Sequence, residues 1–245
     1  MKTKNRKIFL LLGILALTAI FILGGIKLYR VKEARKSGIL LSFDDYSPDT
    51  WSYYFDLFDE YDAKVTFFII GDEPTDFCYD AIDRGHEIAC HTASHSDLTE
   101  VTPEEFQAEA IDPLIAFQEK GIEMTTFAYP YGAYTEETNE LLLQHYKTLR
   151  GAYFYQLNSK AALRHGFIES FSLDNGNFTS DEDYEETITK ILTELSENTG
   201  AVSSFYSHNI GQGNWCITED RLIFLLEKTK ELGLEFYTYQ YLQNH

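Results

Sequence analysis

The chain has 245 residues, 44% of them apolar and 24% charged, a balance that suits one or two folded domains and excludes a disordered chain. Three cysteines, Cys78, Cys90 and Cys216, are too few for a disulfide framework and lack CxxC metal spacing. Residues 1–37 hold 9 of the 20 basic groups and a single acid, Glu33, so residues 38–245 set 11 basic against 38 acidic groups, a net charge of −27. Affinity for nucleic acid comes largely from neutralising phosphates, so a body this acidic excludes nucleic acid as a partner.

In chain order, residues 1–7 form a basic N-terminus, and residues 8–26 a 19-residue run with no charge and one hydroxyl, Thr18. As a helix this run would reach about 28 Å, close to the ~30 Å hydrocarbon core of a bilayer. A cleaved signal peptide is the rival reading. The run is long for one, and no small-x-small cleavage site ends it, which favours an uncleaved transmembrane anchor. Basic residues on both sides leave its orientation balanced. A basic stalk follows over 27–37, then one domain over 38–245.

In that domain strand-like and helix-like segments alternate. Apolar runs at 38–43 (GILLSF) and 64–70 (KVTFFII) read as buried strands, with helical spacing over 50–61 between them. A strand at 87–90 precedes a helix over 106–120, opened by Pro103 and an acidic turn. Further strands are predicted at 125–128, 148–153, 166–171, 201–206 and 234–237. Helices are predicted at 136–146, 181–197 and 218–232, the last stopped by Gly233. Such alternation implies an α/β fold of parallel strands flanked by helices, a barrel or a doubly wound sheet.

Parallel α/β folds bind ligands beyond the carboxyl ends of their strands. Asp44 and Asp45 follow the first strand, His91-Thr-Ala-Ser-His95 the third, Tyr129-Pro130-Tyr131-Gly132 the strand at 125–128, and Ser207-His208 the strand at 201–206. Taken singly, paired aspartates cap turns, HxxxH recurs by chance, and a lone histidine packs structurally. Their concurrence at one end of a sheet points to a site. Two histidines and one carboxylate suit a tetrahedral ion with one open position, a second carboxylate can take a proton from water, and His208 can protonate a leaving group. These parts suit metal-assisted hydrolysis of an acyl bond.

The run LSFDD at 41–45 followed by AKVTFFIIG at 63–71, GHEIACHTASHSDLT at 85–99, FAYPYG at 127–132 and Ser207-His208 together resemble the motifs of the polysaccharide deacetylases, the NodB-homology carbohydrate esterases. The resemblance covers about residues 38–242 in the family's order. It implies a distorted (β/α) barrel of about seven repeats, a divalent ion, most often zinc, held by Asp45, His91 and His95, and Asp44 as general base. It further implies the backbone N–H of Tyr131 as oxyanion donor and His208 as proton donor to the departing amine.

The expected activity is removal of N-acetyl groups from N-acetylglucosamine units of an extracellular or cell-wall polysaccharide. An O-acetyl esterase, or a glycan-binding relative without catalysis, are the alternatives. The expected location is the cell membrane, single-pass, with the domain extracytoplasmic.

Two motifs depart from the family pattern. Ala128 stands where many members carry an arginine that pairs with the base, so Asp44 is either oriented by another group or more basic than usual through lost charge stabilisation. Phe205, Tyr206 and Ser207 replace the leucines of the acetyl-methyl pocket. Asp174 is the candidate for the aspartate that tunes the catalytic histidine. Tyr129, Pro130, Tyr131, Tyr134 and Trp215 are candidate substrate contacts, Tyr131 and Trp215 foremost, and the stripe of Tyr237, Tyr239 and Tyr241 a weaker one. His86 and Cys90 read as structural.

Overall fold

The structure, a computed structural model, describes residues 36–160 and 166–244. The expected N-terminus and anchor, and nearly all of the stalk, lie outside the described residues. No helix among those described is long and apolar enough to cross a membrane.

The compact unit begins at Ser37. Its strands are β1 (Gly38–Asp45), β2 (Val65–Ile69), β3 (Glu87–Cys90), β4 (Thr126–Ala128), β5 (Thr148–Arg150), β6 (Asn158–Ser159), β7 (Gly166–Ile168), β8 (Ser170–Ser172) and β9 (Ala201–Ser207). β1 to β5 pair side by side in parallel, and β9 pairs in parallel with the outer edge of β1. β7 and β8 are two halves of one strand broken at Glu169: β7 pairs with β5 and β8 with β9, both parallel. That broken strand brings the sheet nearly round on itself, giving a barrel-like α/β fold. β6, antiparallel to β9, is the exception to parallel pairing.

Alternation along each strand divides the interior from the outer core. On β1, Ile39, Leu41 and Phe43 join the outer apolar cluster with Phe67, Ile88, Phe127, Leu149 and Phe205. Helices cover this layer: α1 (Pro48–Tyr53), α2 (Phe55–Glu60), α3 (Asp76–Asp83), α4 (Pro103–Phe106), α5 (Asp112–Glu119), α6 (Glu136–Leu142), α7 (Asp181–Glu197) and α8 (Glu219–Glu231). The single helix expected over 50–61 is two, broken at Tyr54, and α3 had no counterpart in the sequence reading. Between α4 and α5 the chain forms a π turn, Gln107–Ile111, so the helix expected over 106–120 carries a bulge.

Inside the barrel, Leu40, Phe68, Ala89, Ala128, Ile168 and Val202 make a second apolar cluster. The last helix, α9 (Tyr239–Asn244), packs onto it through Tyr239 and Leu242. Buried Glu87 accepts hydrogen bonds from Thr66 (3.0 Å), Thr126 (2.8 Å) and the Gln240 backbone (3.0 Å), while Gln243 donates to Thr126 and Thr148 at 3.0 Å. Burial raises the Glu87 pKa. The tyrosine stripe is therefore structural: Tyr239 is buried, and Tyr237 and Tyr241 stack on each other with centroids 5.6 Å apart.

Candidate active site

At the carboxyl ends of β1, β3, β4, β5 and β9 lies a cleft of about 350 Å³ lined by Asp44, Asp45, His91, His95, Arg150 and His208 among others. Asp44 follows the strand alternation into the barrel and is buried. Asp45 breaks that alternation with φ 80°, a left-handed conformation that aspartate tolerates better than most residues. Two adjacent carboxylates thereby face different partners.

Asp45 Oδ1 lies 3.6 Å from His91 Nε2 and 3.4 Å from His95 Nε2. One ligand atom from each of these residues falls within 4.8 Å of the others, so the structure brings together the expected ligand triad. The donor set fits a cation. His91 Nδ1 is 2.8 Å from the Ala128 carbonyl, which only accepts, so the proton sits on Nδ1 and the Nε2 lone pair faces Asp45. Burial first, and the Arg150 charge second, push the His91 pKa down to about 3. Two acceptors thus face each other, and Asp45 Oδ1 is buried with no hydrogen-bond partner. A divalent ion would satisfy both, and two imidazoles with one carboxylate are a zinc-type set.

Asp44 Oδ2 accepts a hydrogen bond from Arg150 Nη2, and Asp44 Oδ1 has no partner. The Arg150 guanidinium lies over the rings of Phe68 (4.9 Å) and Tyr206 (4.7 Å) and is buried. Burial is the largest influence and opposes its charge, but the Asp44 carboxylate together with Tyr239 and Tyr206 outweighs it, holding the pKa above the ordinary value. Ala128 and Arg150 are register partners on β4 and β5. The arginine absent at 128 therefore has its counterpart one strand over, at the same level of the barrel.

Across the cleft, His208 Nδ1 lies 2.8 Å from Asp174 Oδ2, leaving Nε2 as the free ring nitrogen. Burial alone would depress the His208 pKa, but the hydrogen bond to Asp174, then the charges of Asp44, Asp174 and Asp45, raise it. Asp174 is buried and held in turn by Ser207 Oγ (2.7 Å) and Ser172 Oγ (3.1 Å). Of the residues before His208, Phe205 belongs to the outer core while Tyr206 lines the cleft, so the expected leucine pocket has an aromatic wall.

Tyr131 takes φ 58° in a 3₁₀ turn, Pro130–Gly132, and its exposed ring meets His95 edge-on at 4.5 Å. Gly132 is required beside it: at φ +64° an added Cβ would lie 2.9 Å from Ala152 Cβ. Trp215, 67% exposed, lines the opposite wall with its ring 5.4 Å from His208. Two expected substrate contacts fare differently. Pro130 is buried and does not line the cleft. Tyr129 lines it but is 1% exposed, and its hydroxyl donates to Asn139 (2.8 Å), so its ring has no face free for a sugar. His86 is structural as expected: it accepts from the Val65 N–H (3.2 Å) and packs among Phe55, Phe58 and Phe67.

Sequence reasoning missed Arg150 and Tyr153, which both line the cleft. A charged residue within a predicted apolar strand was the available signal for Arg150.

Residues 31–148 match the family model described as polysaccharide deacetylase. The chain is 29% identical over 115 residues, 44% of its length, to YxkH of Bacillus subtilis (strain 168), which bears a polysaccharide deacetylase name. It is 26% identical over 176 residues, 70% of its length, to chitin deacetylase 1 of Cryptococcus neoformans var. grubii (serotype A, strain H99). These stretches span 41% and 37% of the two relatives' own lengths. The crystal structure of the Bc1960 peptidoglycan N-acetylglucosamine deacetylase shares the fold with TM-score 0.60 at 20% identity, covering 83% of this chain and 86% of that one. The motifs at 41–45, 85–99 and 127–132 lie within the matched stretch, and Asp174 and His208 lie beyond it. Residues 31–148 thus carry a polysaccharide deacetylase domain of the NodB-homology type, and the chain is similar to proteins that bear that name.

Proposed function

We propose that this chain is a metal-dependent hydrolase that removes N-acetyl groups from N-acetylglucosamine units of an extracellular or cell-wall polysaccharide. The observation that carries the reading is the flanking of one ligand triad by two differently supported groups: Asp44 on Arg150, and His208 on Asp174. Asp45, His91 and His95 would hold the ion, zinc being the choice that the donor set favours. When bound, such an ion lowers the pKa of water and polarises an acyl oxygen.

The protein's own groups then divide the proton traffic. Asp44, held by Arg150 through one oxygen, accepts the proton of the attacking water at the other. The water oxygen adds to the acetyl carbon, and the Tyr131 backbone N–H supports the oxygen that becomes negative. The C–N bond breaks as His208, protonated at Nε2, gives its proton to the amine. Acetate and a glucosamine unit leave. An amine departs only when protonated, so the raised His208 pKa suits this step. Trp215 and Tyr131, exposed on two sides of the cleft, offer ring faces to sugar units.

In the same proposal, residues 8–26 anchor the chain in a membrane with the domain outside the cell, a reading supported by their uncharged 19-residue length. The experiment that tests the activity compares two substrates for the full-length chain in detergent: N-acetylglucosamine oligomers and acetylated xylan, with zinc supplied. Free amine appearing with acetate from the oligomers is expected. Acetate released from xylan alone would replace this reading with an O-acetyl esterase, and release from neither would leave glycan binding without catalysis.

A further inference from the structure

The stretch that carries both histidines is strained. Thr92 and His95 sit at φ 67° and φ 66°, and for a β-branched residue such as threonine this region is an outlier. Conformations of this kind persist only where surroundings impose them. Within the loop, Thr92 Oγ1 accepts the His95 N–H at 2.8 Å. The two residues between, Ala93 and Ser94, are held from outside by Glu109. Its backbone carbonyl accepts the Ala93 N–H (2.9 Å), Oε2 accepts the Ser94 N–H (2.9 Å), and Oε1 accepts the Ser94 hydroxyl (2.6 Å).

A helical carbonyl is ordinarily unavailable for such work, because the N–H four residues on occupies it. Four residues after Glu109 stands Pro113, which has no N–H and whose ring crowds that carbonyl. The helix responds by widening: Asp112 N–H bonds to Gln107 O, five residues back, in the π turn Gln107–Ile111. The proline thus releases the Glu109 carbonyl, and the π turn is where that carbonyl meets the loop. Bulges of this type recur at functional sites.

We infer that Glu109 is a positioning residue for the metal centre, holding residues 91–95 in the conformation that presents His95 to Asp45 and His91. The inference rests on the proposed ion site and adds a residue to it that touches neither ion nor substrate. Loss of the Glu109 side chain releases Ser94, lowers the fraction of chains in the ligand-ready conformation, and weakens the apparent affinity by that fraction.

The test is a competition titration of Zn²⁺ against a chromophoric chelator, using the metal-free full-length chain in detergent. It compares wild type, Glu109→Ala, Glu109→Gln and the exposed-helix control Glu104→Ala, with the thermal midpoint of each metal-free protein measured alongside. Glu109→Ala is expected to bind Zn²⁺ about tenfold more weakly, within the range that outer partners of metal ligands show. Its metal-free midpoint should stay near wild type, Glu109→Gln, which keeps one side-chain acceptor oxygen, should fall between, and Glu104→Ala should match wild type. Equal affinity for wild type and Glu109→Ala overturns the inference while leaving the ion site standing. So does a loss that merely tracks a fallen midpoint. Failure of the wild type itself to take up Zn²⁺ overturns the ion site, and the inference with it.

Discussion

The guanidinium of Arg150, on β5, reaches across the barrel interior to the carboxylate of Asp44 on β1 and lies over the rings of Phe68 and Tyr206. Both partners are buried, so neither charge has water to fall back on. Breaking such a pair from one side leaves an uncompensated charge, at a cost of about 3–5 kcal/mol. Arg150→Met is therefore expected to lower stability on that scale and to reduce turnover by at least about 100-fold, the usual share of a positioned base. Urea unfolding together with steady-state kinetics checks both. A variant that keeps wild-type turnover would show that Asp44 needs no such support.

The second carboxylate pair predicts a pH effect. His208 must be protonated to act as an acid, so activity should fall as pH rises through its raised pKa. Asp174→Asn removes the leading raising contribution and should move this alkaline limb to lower pH, with the metal affinity little changed. On stability, the sign is that of a raised histidine: the His208–Asp174 contribution is complete below the ordinary value of 6.5 and is lost as pH climbs through the raised one. A pH profile of kcat for the two proteins tests this. An unmoved alkaline limb would assign it to another group.

His86 has the opposite sign. Burial first, then the charge of Lys64, lower its pKa from 6.5 to about 4, so the folded chain keeps it neutral where the unfolded chain takes a proton. Stability should fall as pH drops from about 6.5 towards 4, by on the order of 3 kcal/mol in total. The carboxylates titrate in the same range, so the informative quantity is the difference between wild type and His86→Gln. The variant is expected to show the flatter dependence in urea midpoints at pH 7 and pH 4.5.

Trp215 stands out in solvent beside His208 and makes no hydrogen bond that the chemistry requires. If its contact with a sugar face is worth what an aromatic pair is, up to about 1.5 kcal/mol, that is about tenfold in affinity. Trp215→Ala should raise KM for N-acetylglucosamine oligomers by up to about tenfold and leave kcat largely intact. A fall in kcat with KM unchanged would instead make the indole part of the His208 environment.

Much of this arrangement was legible in the chain, and the reasons differ by element. β1 and β2 are continuous apolar runs because both faces are buried, and α7 was readable to the residue because Ser180 caps it and three acids fill its first turn. Asp44, Asp45, His91, His95 and His208 stood out because each lies at or just past the carboxyl end of a strand. Arg150 did not, since nothing local says that it faces Ala128 in register; that is a property of two strands together. The tyrosines at 237, 239 and 241 alternate with a period of two, which mimics a strand, yet Tyr239 opens a helix that packs inside the barrel. The π turn was equally hidden, because Pro113 signals a disturbed helix and not what the freed carbonyl meets.

The proposed function requires that Asp45, His91 and His95 together hold one divalent ion. Its most direct test is an anomalous-difference map at the zinc edge from crystals of the zinc-loaded protein. One strong peak within ~2.0–2.2 Å of an Asp45 oxygen and of Nε2 of both histidines is expected. A peak elsewhere, or none in protein that deacetylates its substrate, would contradict the account.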